Sequence, residues 1–298
     1  MPLLSKSKER RQSPFIPIRE AIAPSLGAGS FTNISLKRNS AIDLQRVYER
    51  EGKRLTPLVK NDPVSFLHRF SDERDIEMAG FLASQFAYGR VQQVLRFLSE
   101  MFAFMAEGPY AFVREGDFSI LAGQYYRFHK GPEIIRLFET LRTIIERFDR
   151  IGAMVEHYYE GDFRQALWTA GGELVRGDDS LAFFFPRHAP ASPVKRWSLY
   201  ARWMVRHDEI DFGLWDFIDK SSLTIPLDAN LFKIGRCLGW TDQKGQSWKA
   251  ARQITEALKA CCPEDPLKYD FFLCHVIGIG GGCTGRKNDA CREGCLLR

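Results

Sequence analysis

No stretch of eighteen consecutive apolar residues occurs in the 298-residue chain. The richest region, 81–105, is interrupted by Gln85, Arg90, Gln92, Gln93, Arg96 and Glu100, so a membrane-spanning helix is not expected. The N-terminus lacks a continuous apolar segment followed by a small-residue cleavage site, and without that secretory signature the expected address is cytoplasmic. Seven cysteines are an odd number. In a chain without an export signal they point to thiols, a metal site or a cluster rather than a disulfide framework. The glycine run Gly280, Gly281, Gly282 is not followed by the Lys-Ser/Thr pair of a phosphate-cradling loop. No Ser-His-Asp arrangement, paired zinc-hydrolase motif or internal repeat stands out.

What the chain has in quantity is apolar and aromatic surface. Hydrophobic residues make up 45% and aromatics 13%, with 23 Phe, enough to offset the conformational entropy of folding over most of the length. The formal net charge is +5 and the isoelectric point is near 8.8, which suits an anionic partner but also suits many ordinary enzymes.

Residues 1–40 are basic and broken by Pro14, Pro17, Pro24, Gly27 and Gly29, with Lys6, Lys8, Arg10 and Arg11 at the start. This composition reads as a disordered tail, either a solvated extension or an arm that attracts nucleic acid. Residues 41–298 read as a single all-α region, because apolar residues recur at helical spacing and strict alternation is rare. Ser71 can cap a helix with Ile76, Ala79, Ala83 and Phe86 inward, closed by Gly89. A second helix carries Val91, Val94, Leu95, Leu98, Met101, Phe102 and Met105 and stops at Gly108-Pro109. Further helices are expected over 134–148, 163–175, 194–206, 229–239, 247–261 and 266–276. A proline-rich connection over 186–193 precedes the helix that starts near Lys195.

Three groups of residues carry chemistry. Asp228 sits at a helix N-cap after Pro226, ahead of the apolar stripe Leu231, Ile234 and Leu238, and a cap of this kind contributes about 1 kcal/mol. Lys195 is expected at about the third position of its helix, where the positive end of the dipole and the neighbouring Arg196 disfavour an ammonium. A nucleophilic lysine needs that setting, although most lysines are solvated. Lys195, Arg202 and Arg206 share one helical face, either a phosphate-contacting stripe or an ordinary solvated one. Lys220 is the rival nucleophile, in a Ser-rich turn. At the end come Cys283, Cys291 and Cys295, with Cys274 and His275 upstream: an iron-sulfur cluster with Cys274 as fourth ligand, a zinc site using His275, and a packed thiol-rich tail over 274–298 are all open.

The segment Pro226-Leu227-Asp228-Ala229-Asn230-Leu231-Phe232-Lys233-Ile234-Gly235-Arg236-Cys237-Leu238-Gly239 resembles the Val-Asp-x-His-Val-x-Arg-x-x-x-Arg-Leu-Gly segment of helix-hairpin-helix DNA glycosylases. Asn230 stands where that pattern has His. The 33-residue interval from Lys195 to Asp228 is similar to the Lys-to-Asp arrangement of the archaeal oxidised-guanine branch of that superfamily. The whole chain looks similar to an uncharacterised bacterial family related to it. The segment 78–90 resembles the Leu-Ser-Gln-Gln opening of the glycosylase domain, with only Gln85 carried over as a residue near the DNA minor groove. The usual Leu-Pro-Gly-x-Gly hairpin is absent, replaced by residues 207–215.

The resemblance implies a two-lobed helical fold with a modified hairpin and a monomer acting on damaged duplex DNA. Catalysis would fall to Asp228 and Lys195, and DNA contacts to Gln85, Arg196, Arg202 and Arg206. Cys274, Cys283, Cys291 and Cys295 would form a metal site. Two other readings stay open: a nucleic-acid-binding protein that keeps this fold without the chemistry, and a small redox protein using the terminal thiols.

Overall fold

Helix-period spacing becomes helix along most of the chain. The computed structural model describes residues 44–52, 55–187, 191–286, 291 and 294–297, so the expected tail over 1–40 lies outside the described residues. The chain divides into two units, and everything described belongs to the second, Ile42–Arg298. None of the described helices is long and apolar enough to cross a membrane.

After α1 (Leu44–Glu51) and two 3-10 turns (Thr56–Asn61 and Pro63–Arg69) comes α2, Glu73–Gln85. Its cap is Asp72 and not Ser71: the Asp72 carboxylate accepts from Arg74 N at 2.9 Å and Asp75 N at 3.3 Å. A carboxylate satisfies these orphan donors and also offsets the positive helix end, which a neutral hydroxyl does not. The expected inward stripe of α2 is buried throughout. Gly89, at φ 102°, turns the chain into α3 (Val91–Phe102), and Pro109 opens α4 (Pro109–Glu115).

A short hairpin then interrupts the helical pattern. Strands β1 (Tyr125–Tyr126) and β2 (His129–Lys130) are antiparallel, with Tyr125 opposite Lys130 and Tyr126 opposite His129. Helices α5 (Gly131–Phe148), α6 (Ile151–Tyr158) and α7 (Phe163–Leu174) follow. Beyond the proline-rich connection lie α8 (Lys195–Val205), α9 (Ala229–Leu238) and α10 (Trp248–Lys259), close to their expected limits. The last expected helix differs: a 3-10 turn, Pro266–Tyr269, leads into a π-helix, Phe272–Gly280.

Helix α2 is the axis of the core. Phe81 packs against Phe185, Trp197 and Tyr200. Gly80 lets α8 come close, since a Cβ there would lie 3.0 Å from Met204 Cε and 3.2 Å from Tyr200 Cε2. One turn earlier Glu77 is buried and accepts from Gly152 N and Trp215 Nε1, each at 2.6 Å, and burial pushes its carboxyl up. These bonds tie α2 to α6 and to the segment after α8. That segment, 207–215, closes on itself through a His207–Phe212 bridge and folds back on α8 through bonds from Phe212 N to Trp203 O and from Trp215 N to Met204 O, each at 2.8 Å. The protein is therefore mainly helical, with α2, α8 and the C-terminal helices holding the residues singled out by sequence.

Candidate functional site

Lys195 is the first residue of α8, two positions earlier than its sequence suggested. Val194 precedes it at φ 45°, a left-handed conformation that a β-branched residue keeps only where its surroundings over-determine it. The half-buried Lys195 donates from Nζ to Ala87 O at 3.4 Å, and among the described residues it pairs with no carboxylate.

Arg196 is more enclosed. Its Nη1 donates to Gln85 Oε1 at 3.1 Å and to Gln85 O at 3.4 Å, and its Nη2 donates to Phe183 O. The guanidinium carbon stands 3.5 Å from the centre of the Phe183 ring. Burial pulls this guanidinium down to about 10, and its hydrogen-bond partners are neutral oxygens. A buried cation ordinarily has an anion beside it. Gln85 itself is 0% exposed, so it braces Arg196 from inside and does not project toward a groove. The end of α2 and the start of α8 thus bring Gln85, Lys195 and Arg196 together.

Asp228 caps α9 as expected, with Oδ1 accepting from Leu231 N at 2.8 Å. Its Oδ2 accepts from Cys274 Sγ at 3.4 Å. Burial pushes the Cys274 thiol well up, and the Asp228, Asp270 and Asp62 carboxylates add to it. The thiol therefore stays a hydrogen-bond donor. Next to it His275 Nε2 lies 2.9 Å from Asp62 Oδ2, and the imidazole stacks on Phe271 with 4.1 Å between centroids. Asn230 sits against Gly278 of the π-helix, where a Cβ would come within 2.8 Å of its own. Lys195 and Asp228 make their contacts with different elements, the first with the end of α2 and the second with the π-helix.

Arg202 and Arg206 correct the expected basic stripe. They are 3% and 4% exposed, and carboxylates enclose both. Arg202 donates to Asp211 Oδ1 at 3.0 Å and to Asp270; Arg206 donates to Asp265 Oδ1 at 2.7 Å, to Asp208 Oδ2 at 2.9 Å and to Asp211. Burial opposes their charge, but Asp211, Asp270 and Asp265 hold both guanidiniums above their ordinary value. They lock α8 to the segments around 211, 265 and 270 and are not available to phosphates.

Cys274 faces Asp228, Cys283 and Cys295 pack against the core, and Cys291 donates to Arg286 O at 2.7 Å. Among the described residues no group of three or more His, Cys, Asp or Glu side chains is arranged to hold a metal ion. The rival lysine, Lys220, is exposed at the start of a 3-10 turn, Lys220–Ser222.

Two features escaped sequence reading. The Asp62–His275 and Asp228–Cys274 contacts join residues 213 and 46 apart, and no spacing signals them. The hairpin 125–130 carried a usable signal in its dense mixture of aromatic and basic residues.

Fold and site together define a mainly helical protein with a half-buried lysine and arginine, neither paired with a described carboxylate, at the start of one helix and a capping aspartate on another. Residues 62–279, more than two-thirds of the chain, match a family described as "protein of unknown function (DUF2400)", and the chain belongs to that family. Searches of curated proteins and of solved structures gave no significant match.

Proposed function

We infer that the protein is a DNA-repair glycosylase that removes a damaged base from duplex DNA and nicks the strand, with oxidised guanine as the leading substrate by resemblance. The observation that carries this reading is the start of α8, where among the described residues Lys195 reaches a carbonyl at 3.4 Å and no carboxylate, and stands beside a half-buried Arg196 whose hydrogen-bond partners are neutral. Among the described residues this site holds no counter-charge of the kind a structural lysine keeps, which suits an anionic ligand. A two-lobed helix-hairpin-helix arrangement, with 207–215 as the modified hairpin, is part of the same proposal.

In the reaction Lys195 Nζ, after giving up a proton, attacks C1′ of the damaged nucleotide. The N-glycosidic bond breaks, the base leaves with the bonding pair and takes up a proton, and sugar-ring opening gives a Schiff base. Loss of a C2′ proton then eliminates the 3′ phosphate. Asp228 stabilises the positive charge that develops on the sugar as the base departs.

Base release from duplexes carrying single lesions tests this. Wild-type protein releases a base and nicks the strand, Lys195→Ala does neither, and Asp228→Asn is slowed by about a hundredfold or more. Release that survives intact in Lys195→Ala overturns the assignment. The second reading, a DNA-binding protein without the chemistry, draws on one observation: both Asp228 oxygens already accept hydrogen bonds, from Leu231 N and Cys274 Sγ. It predicts lesion-dependent binding with no release.

A further inference from the structure

The described surface leaves few large apolar side chains in water, and two of the most exposed sit on one six-residue hairpin. Tyr125 is 63% exposed and Phe128 55%. They do not protrude on a loose loop. Tyr126 and His129, the inward-facing pair of the same hairpin, are buried against Phe86, Phe97 and Phe184. Tyr126 OH donates to Tyr88 O, and His129 Nδ1 lies 3.1 Å from Glu133 Oε2. The turn runs through Arg127 at φ 57°, a position where glycine or asparagine is the usual occupant. A side chain is thus kept at the tip despite the backbone cost.

The fully exposed charges at this tip are cations, with the half-buried Glu133 beside them. Arg90, Arg127 and Lys130 are exposed, and none pairs with a carboxylate among the described residues. Glu133, the acid that touches the hairpin, is taken by His129 and by Lys130 N at 3.3 Å. The Arg127 guanidinium lies 5.7 Å from the centre of the Tyr88 ring, and Phe128 stacks on the same ring at 5.6 Å. Tyr88 follows Ala87, whose carbonyl accepts from Lys195. The aromatic tip and the candidate nucleophile therefore flank one strand of backbone, 85–90.

A braced tip of exposed rings beside cations that pair with no described carboxylate matches the chemistry of a nucleic acid opened at one step. Planar rings take the faces of unstacked bases, and cations take the flanking phosphates. We propose that the hairpin 125–130 is the element that enters duplex DNA at a disrupted base step, with Phe128 and Tyr125 stacking on the exposed bases and Arg90, Arg127 and Lys130 holding the phosphates beside it. This rests on the glycosylase reading for its choice of duplex over single strand.

Fluorescence anisotropy with the full chain tests it, using an intact duplex, the same duplex with one tetrahydrofuran abasic analogue, and the corresponding single strand. The wild type is expected to prefer the abasic duplex to the intact one by about tenfold or more, from one stacked ring. Phe128→Ala removes that preference and Phe128→Trp keeps it; because the part-exposed ring also packs on Tyr88, His129 and Phe183, Phe128→Ala is expected to melt somewhat below the wild type, and binding is compared at a temperature at which thermal melts show both variants folded. Arg127→Ala weakens binding to both duplexes alike. Phe128→Ala with an unchanged preference overturns the proposal, as does tighter binding to the single strand. A borohydride-trapped adduct measured in parallel separates the two ideas. An adduct with an indifferent Phe128→Ala leaves the chemistry standing without the hairpin, and a Phe128-dependent preference with no adduct leaves the hairpin without the chemistry.

Discussion

Arg202 is almost sealed from solvent between Asp211 and Asp270. Removing one member of a buried network leaves uncompensated charge, so Arg202→Ala is expected to cost about 3–5 kcal/mol, read as a lower urea midpoint at unchanged slope. A loss below about 1 kcal/mol would mean a solvated stripe after all. The spacing of Lys195, Arg202 and Arg206 was legible in sequence, but not which way the face points. The acids that turn the two arginines inward lie as far away as 59 and 68 residues.

Asp62 gives a pH signature at the same scale. Burial works against its charge, yet the bonds from His275 and Val64 N hold its carboxyl below the ordinary value. Folding therefore favours the ionised form: the stabilisation is complete above the unfolded value near 4 and disappears as pH falls through the lower folded value. Asp62→Asn, which can still cap the turn at Pro63, is expected to lose about 1–3 kcal/mol at pH 7. Its deficit should shrink steadily below about pH 4. A deficit independent of pH would assign the effect to packing.

Among the elements, α9 tests whether Asp228 is only a cap. Asparagine caps as well as aspartate, whereas alanine costs about 1 kcal/mol. Asp228→Asn should melt close to wild type and lose base release; Asp228→Ala should lose both. If Asp228→Asn keeps full activity, the residue is a cap alone. Most helices were legible because one face is apolar and the other is not. The π-helix was not, since Phe271, Phe272 and Leu273 through Ile279 form a nearly continuous apolar run in which no polar face marks the register. The hairpin was missed for a different reason: Arg127 occupies the turn position at which glycine or asparagine signals a reversal.

At the scale of the whole molecule, the net charge of +5 does not say which cations DNA can reach: Arg202 and Arg206 are enclosed with the carboxylates of Asp208, Asp211, Asp265 and Asp270, whereas Arg90, Arg127 and Lys130 are exposed. With Arg90, Arg127 and Lys130 as the phosphate contacts, the logarithm of the binding constant is expected to fall with the logarithm of salt at a slope of about −3. A slope near zero would remove the electrostatic basis of the account.

The proposed chemistry itself is tested most directly by finding where DNA becomes attached. Wild-type protein is incubated with a lesion-bearing duplex under borohydride, digested, and its peptides are weighed. The account predicts a reduced sugar adduct on the peptide containing Lys195, absent when Lys195 is replaced by alanine; an adduct on Lys220, or none with any lesion that the protein binds, would contradict it.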